Sequence, residues 1–280
     1  MSSAEAAPVE PPPSRAGRNL PVAVAVGVGL GALIVVTLVF NKYFFALLVT
    51  AAILVAVWEL YNAFLHNDIR IARSPLYLVA LAGPSVAYFF GVDGHMVVFG
   101  TFVVVALAWR IRRGTEGFVK DATGSLFVGF YLPFMVGFVM LMLREDDGVA
   151  RIIAFIAITV CNDVGGYFAG VAFGKHPIAP QVSPKKSWEG FAGSVALSIA
   201  VAVPLFSALF QAPWWQAVAF GLIMPATATA GDFIESAIKR DLDVKDMSNI
   251  LPGHGGLMDR LDSLIPNAFV SWALLTWFLG

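Results

Sequence analysis

The segment Gly231–Ser263 reads GDFIESAIKRDLDVKDMSNILPGHGGLMDRLDS and is the most polar stretch of a chain in which 58% of residues are hydrophobic. It starts on the end of one apolar run and stops where another begins. Only 13% of the chain is charged, about half the share usual for a soluble domain, and the mean hydropathy is +0.78. These values make lipid the main solvent of the chain. Polar density at the edge of such a chain is costly unless it has a function. The segment is therefore read as an active site, and the rest of the chain as its mount.

Working outward, a bilayer core about 30 Å thick needs roughly 20 apolar residues in a helix. That spacing predicts spans near 20–40, 44–64, 75–91, 95–111, 123–143, 151–173, 189–210, 214–237 and 264–280. No alternation of the kind a barrel needs is visible, so the expected fold is all-α, a polytopic bundle of about nine transmembrane helices. Residues 1–19, rich in Pro, Ala and Ser, form an expected disordered cytoplasmic tail. Residues 20–150 are expected to supply N-terminal helices, and 151–280 the catalytic region. The one cysteine, Cys161, rules out an intrachain disulfide. The four histidines are too scattered to suggest a zinc site.

With nine spans and the N-terminus inside, all but three of the 18 Lys and Arg residues fall on the inner side. The exceptions are Lys42, Arg144 and Arg151. This bias orients the protein with loops 174–188 and 238–263 in the cytoplasm, which implies a multi-pass protein of the cytoplasmic (plasma) membrane. Gly27, Gly29 and Gly31 lie inside the first span without Rossmann context and are read as a close helix-packing site. Glu59, near the inner end of the second span, is read as interfacial.

Three polar groups converge on the inner face. Asn162 and Asp163, with Gly165 and Gly166, interrupt the sixth span, where a carboxylate needs a cation, a proton or a partner. Ser183-Pro184-Lys185-Lys186-Ser187 precedes the seventh span. There paired lysines and a capping hydroxyl at a helix N-terminus suit phosphate groups. Asp232, Glu235, Ser236 and Lys239 share one face of the eighth span. Asp246, Asp259 and Asp262 follow in the loop, with Gly255 and Gly256 able to form an anion-binding nest. Asp259 is read as an unpaired carboxylate at the loop edge. Acids gathered near phosphate-binding lysines suit Mg²⁺, which takes one or two carboxylates plus substrate oxygens.

The run Ser236-Ala-Ile-Lys239-Arg240, four residues, then Lys245-Asp246-Met-Ser248-Asn-Ile-Leu-Pro252-Gly-His254-Gly255-Gly256-Leu-Met-Asp259-Arg260-Leu-Asp262 resembles the signature of phosphatidate cytidylyltransferases, also called CDP-diacylglycerol synthases. Asn162-Asp163 and Ser183–Gly190 resemble the family too, although Thr is common there in place of Val164 and Ser187. The resemblance is strong over 155–280. It implies transfer of the cytidylyl group of CTP to phosphatidate, giving CDP-diacylglycerol and pyrophosphate in phospholipid biosynthesis. It further implies Mg²⁺ as cofactor, leaving open a second, monovalent cation, and a homodimer in membrane lipid with no nucleic-acid partner. By this resemblance Asp232 and Asp259 are the metal ligands, and Asp163 is a candidate third. Lys239, Arg240, Lys245 and Arg260 are candidates for charge neutralisation beside Asp246, and His254 for protonating pyrophosphate or lining the nest. Ser183, Lys185, Lys186, Ser187, Ser236, Gly255 and Gly256 are candidates for substrate binding. The competing reading is an ion-coupled secondary transporter using Asp163 and Asp232, but no internal repeat supports it.

Overall fold

A computed structural model describes residues 20–251 and 255–280 of the chain. The expected tail, 1–19, lies outside these residues. Ten α-helices follow one another: α1 (Leu20–Phe40), α2 (Lys42–His66), α3 (Arg73–Ile111), α4 (Phe118–Gly129), α5 (Met135–Arg144), α6 (Gly148–Phe173), α7 (Trp188–Phe210), α8 (Trp214–Asp241), α9 (Met258–Leu261) and α10 (Leu264–Leu279). Among the described residues six crossings, over 42–66, 73–111, 118–144, 148–173, 188–210 and 214–241, are long and apolar enough to span a membrane, so the chain is a membrane protein. The expected nine would need α1 and α10 as well, and α3 divided in two.

That division has a visible cause. Within α3, Gly91 has φ 70° and ψ −156°, a conformation essentially reserved for glycine. The chain reverses there, so that Gly83 faces the ring of Phe99, with 3.5 Å between the ring and the place of a Cβ. In a straight helix, sixteen residues of rise would hold them about 24 Å apart. The 39 residues of α3 are thus two helices back to back. Between α4 and α5 the π-helix Phe130–Phe134, which contains Pro133, carries the crossing on without a break.

Polar contacts sort the connections into two ends. At one end, Lys42 Nζ donates to the Glu145 carbonyl at 2.6 Å, and Arg151 reaches the C-terminal Gly280 carbonyl at 3.5 Å. At the other end, buried Arg110 donates through Nε to Asp121 at 2.7 Å, and Asp121 also accepts the Arg70 amide at 2.8 Å. Asn67 donates to the Leu242 carbonyl at 2.9 Å, and Arg240 donates to the carbonyl of Gln181. The polar loops after α2, α3, α6 and α8 therefore share one end.

α6 and α7 approach closely because their facing residues are small. A Cβ added to Gly165 would meet the Gly193 carbonyl at 2.6 Å, and one on Gly190 the Gly166 carbonyl at 3.0 Å. In α1, Gly29 and Gly31 meet nothing within 4 Å of a would-be Cβ among the described residues of this single chain. The loop after α6 is not wholly irregular either. Strands β1 (Pro177–Ala179) and β2 (Ser183–Ser187) form an antiparallel hairpin, and Ser187 caps α7 by accepting the Gly190 amide at 3.1 Å.

Candidate active site

The last turns of α8 bring four polar side chains to one face by helical spacing. Asp232, Glu235, Ser236 and Lys239 line a cavity of about 490 Å³, with Asp163 of α6, Lys186 of β2, and Asp246, Asp259, Arg260 and Asp262 of the following loop. Two segments about fifty residues apart in sequence are thereby joined, and the contact that joins them is the ion pair Lys186–Asp232. Lys186 also lies over the Phe233 ring at 5.5 Å. A second, smaller hollow of about 240 Å³ shares Asp163, Lys186 and Asp232. It continues past Tyr167, Ile178 and Phe191 between α6 and α7, so a charged chamber opens into a more apolar one.

Asp259 is the knot of the loop. Its Oδ1 accepts Lys239 Nζ at 2.8 Å, and its Oδ2 accepts the amides of Met247 at 3.0 Å and Gly256 at 2.8 Å. The unpaired carboxylate expected at the loop edge is thus a paired and buried one, 7% exposed. Burial pushes its pKa upward, but the donors around it prevail and hold the carboxyl below the usual range. Lys239 is shared, reaching Glu235 Oε2 at 2.7 Å. Gly255, at φ +83°, turns the chain tightly here, and a Cβ on it would stand 3.0 Å from Asp259 Oδ2.

Asp262 behaves differently. Burial raises its pKa, although the Ser263 amide and the nearby Lys186, Arg260 and Lys239 draw it down. Burial likewise lowers the pKa of Lys186, against the pull of Asp262, Asp163 and Glu235. In α6, Asn162 donates to Asp163 Oδ1 at 2.9 Å, and Ser194 Oγ donates to the Asn162 carbonyl at 2.6 Å.

The other candidates stand further out. Lys185 is exposed on the hairpin and lines only the smaller hollow. Arg240 is engaged with Gln181. Ser183, Lys245, Gly255 and Gly256 line neither chamber; the glycines act on it through Asp259. Ser187 lines the smaller hollow while capping α7. His254 lies outside the described residues. Glu235 and Asp262, expected on the polar face of the eighth span and in the loop after it, face the chamber directly. One residue joins the site from outside the expected groups: Glu59, read as interfacial, is fully buried against the loop.

Among the described residues no three acids, histidines or cysteines converge closely enough to cage an ion by themselves. Mg²⁺ does not require such a cage, since it keeps water and substrate oxygens around one or two carboxylates. The chamber suits that mode. Several carboxylates line it, and among the described residues buried Glu235 Oε1 has no hydrogen-bond partner within bonding geometry. The donor set consists of hard oxygens and fits Mg²⁺ completed by phosphate.

Residues 21–278 match the family model described as Cytidylyltransferase family. The chain is 37% identical over 278 residues to a phosphatidate cytidylyltransferase of Mycobacterium leprae, covering 94% of this chain and 89% of that protein. It is 36% identical over 276 residues to the Mycobacterium tuberculosis protein of the same name, covering 94% and 84%. A phosphatidate cytidylyltransferase of Bacillus subtilis is 30% identical over 238 residues, covering 80% and 86%.

Proposed function

This chain belongs to the cytidylyltransferase family, and from that premise we propose that it transfers the cytidylyl group of CTP to phosphatidate. The products are CDP-diacylglycerol and pyrophosphate, so the enzyme serves phospholipid biosynthesis. The observation that carries this reading is the meeting of Lys186 with Asp232 inside a chamber that also holds Lys239 and Arg260. Cations from three chain segments face one space, beside a more apolar hollow running between two membrane helices.

The reaction joins two strongly negative groups. A phosphatidate phosphate oxygen attacks the α-phosphorus of CTP, the new P–O bond forms, and the bond to the β-phosphate oxygen breaks. No protein nucleophile is needed, and the residues act by positioning and charge neutralisation. Lys239 and Arg260 are placed to hold the nucleotide phosphates and the departing pyrophosphate. Lys186, at the junction of the two chambers, is placed to meet the lipid phosphate. Arg240, Lys245 and His254 remain further candidates for charge neutralisation, on the family resemblance alone. Mg²⁺ bound at Asp232 and Asp259, with Asp163 beside them, would neutralise phosphate charge and draw the two phosphates together. Because Asp259 already receives three donors, its remaining capacity is on Oδ1, beside Lys239.

The transporter reading has less support, since a transporter site belongs near the membrane midplane between matching halves. Here the acids of the 232–262 segment gather at one end with the polar loops. The direct test is pyrophosphate release by the purified protein in mixed micelles. Release is expected only when CTP and phosphatidate are both present; equal release without phosphatidate would sink the proposal.

The same proposal places the protein in the cytoplasmic membrane, with this end facing the cytoplasm and the N-terminus inside. Its support is the clustering of Lys and Arg on the loops of one end. A single cysteine at position 183, in a Cys161→Ala background, should react with an impermeant maleimide only in inverted vesicles. Labelling of intact cells at that position would reverse the orientation. Assembly as a homodimer is part of the proposal and rests on the family resemblance.

A further inference from the structure

Glu59 sits on α2, in the half of the chain that the catalytic motifs do not reach, and is 0% exposed. Its partners are all on the 246–262 loop. Oε1 accepts Ser248 Oγ at 2.5 Å and the Leu257 amide at 2.8 Å. Oε2 accepts the Met258 amide at 2.7 Å. Among the described residues these three neutral donors are what holds the carboxylate. The loop is shaped to receive it: a Cβ on Gly256 would stand 2.7 Å from Glu59 Oε1 and 2.9 Å from the Ser248 amide.

The geometry resembles a clamp with two jaws. One limb of the loop carries Met247 and Ser248, the other Gly256, Leu257 and Met258, and a bridge between Leu251 and Gly255 closes them. Asp259 ties the limbs from the chamber side, through the amides of Met247 and Gly256. Glu59 ties the same limbs from the helix side, through Ser248, Leu257 and Met258. A carboxylate taken out of water needs strong compensation. The two backbone amides that Glu59 fixes immediately precede Asp259.

We propose that Glu59 is a positioning residue for cytidylyl transfer: from the N-terminal half it fixes the loop so that Asp259 and Lys239 keep their arrangement in the chamber. This rests on the chamber being the CTP site. Glu59→Gln is the informative change. Its amide oxygen can still take Ser248 and Leu257, but its NH₂ group would face the Met258 N–H, donor against donor.

The test combines hydrogen exchange of peptides spanning 246–262 with steady-state kinetics, both on the full-length protein in micelles. For Glu59→Gln, faster exchange confined to that segment is expected. It should accompany a loss of about tenfold or more in kcat/KM for CTP at an unchanged thermal midpoint. Ser248→Ala, which removes one donor, should show both effects weakly, and the double variant should lose less than the product of the two. Unchanged exchange in 246–262 overturns the clamp. Faster exchange with kcat/KM within about twofold of wild type overturns the positioning role. If Glu59→Gln does not fold, Ser248→Ala decides by the same two readings. Failure of the CTP-site reading itself looks different: the wild-type protein would then not turn over CTP and phosphatidate at all.

Discussion

Asp259→Asn is expected to lower kcat/KM by about a thousandfold, the loss typical of removing a group that stabilises transition-state charge in a site closed to water. Two effects coincide. The substitution removes the negative charge beside Lys239 that a cation needs. It also puts a donor where the carboxylate accepts from Lys239 at 2.8 Å or from two backbone amides. The bundle itself should survive, because the loop lies at its end and the apolar core around Leu60, Leu76, Leu132 and Met140 is untouched. Purified variant and wild type are compared at saturating Mg²⁺ with matched thermal midpoints. Retention of more than about a tenth of the rate would remove Asp259 from the charge-handling role.

The second large effect separates two adjacent lysines. Lys186→Ala is expected to cost about a hundredfold in kcat/KM, because it strips the ion-pair partner from Asp232 and removes the cation at the junction of the two chambers. Lys185→Ala should cost no more than about fivefold, as an exposed charge contributes about 0–1 kcal/mol. Kinetics varying CTP and phosphatidate separately in mixed micelles assign the loss. A rise in KM for phosphatidate would place Lys186 on the lipid phosphate, as its position between the chambers suggests. Equal losses at both lysines would mean that the hairpin binds phosphate by general positive charge, without the geometry described above.

The membrane helices were legible because lipid imposes a length and a composition on any helix that crosses it. The runs at 44–64, 151–173 and 189–210 correspond closely to α2, α6 and α7. The break between 75–91 and 95–111 falls on the turn at Gly91. The polar face of α8 was legible for a similar reason, since a 3.6-residue period carries Asp232, Glu235, Ser236 and Lys239 together. Contacts between distant segments were not. Glu59 looks interfacial from its neighbours Trp58 and Tyr61, and the Leu257 amide that it accepts lies 198 residues away. Asp259 looks like a free loop acid because its donors are a lysine twenty residues upstream and two backbone amides, which leave no trace in sequence.

Isotope placement shows most directly whether the phosphatidate phosphate attacks the α-phosphorus of CTP. Purified protein in phosphatidate micelles is given CTP labelled at the α-phosphorus or, separately, at the γ-phosphorus, and lipid is extracted. The α label is expected in the lipid phase, only with phosphatidate present, while γ label stays in water as pyrophosphate. Lipid-phase label from γ-labelled CTP, or α label that never leaves the aqueous phase, would contradict it.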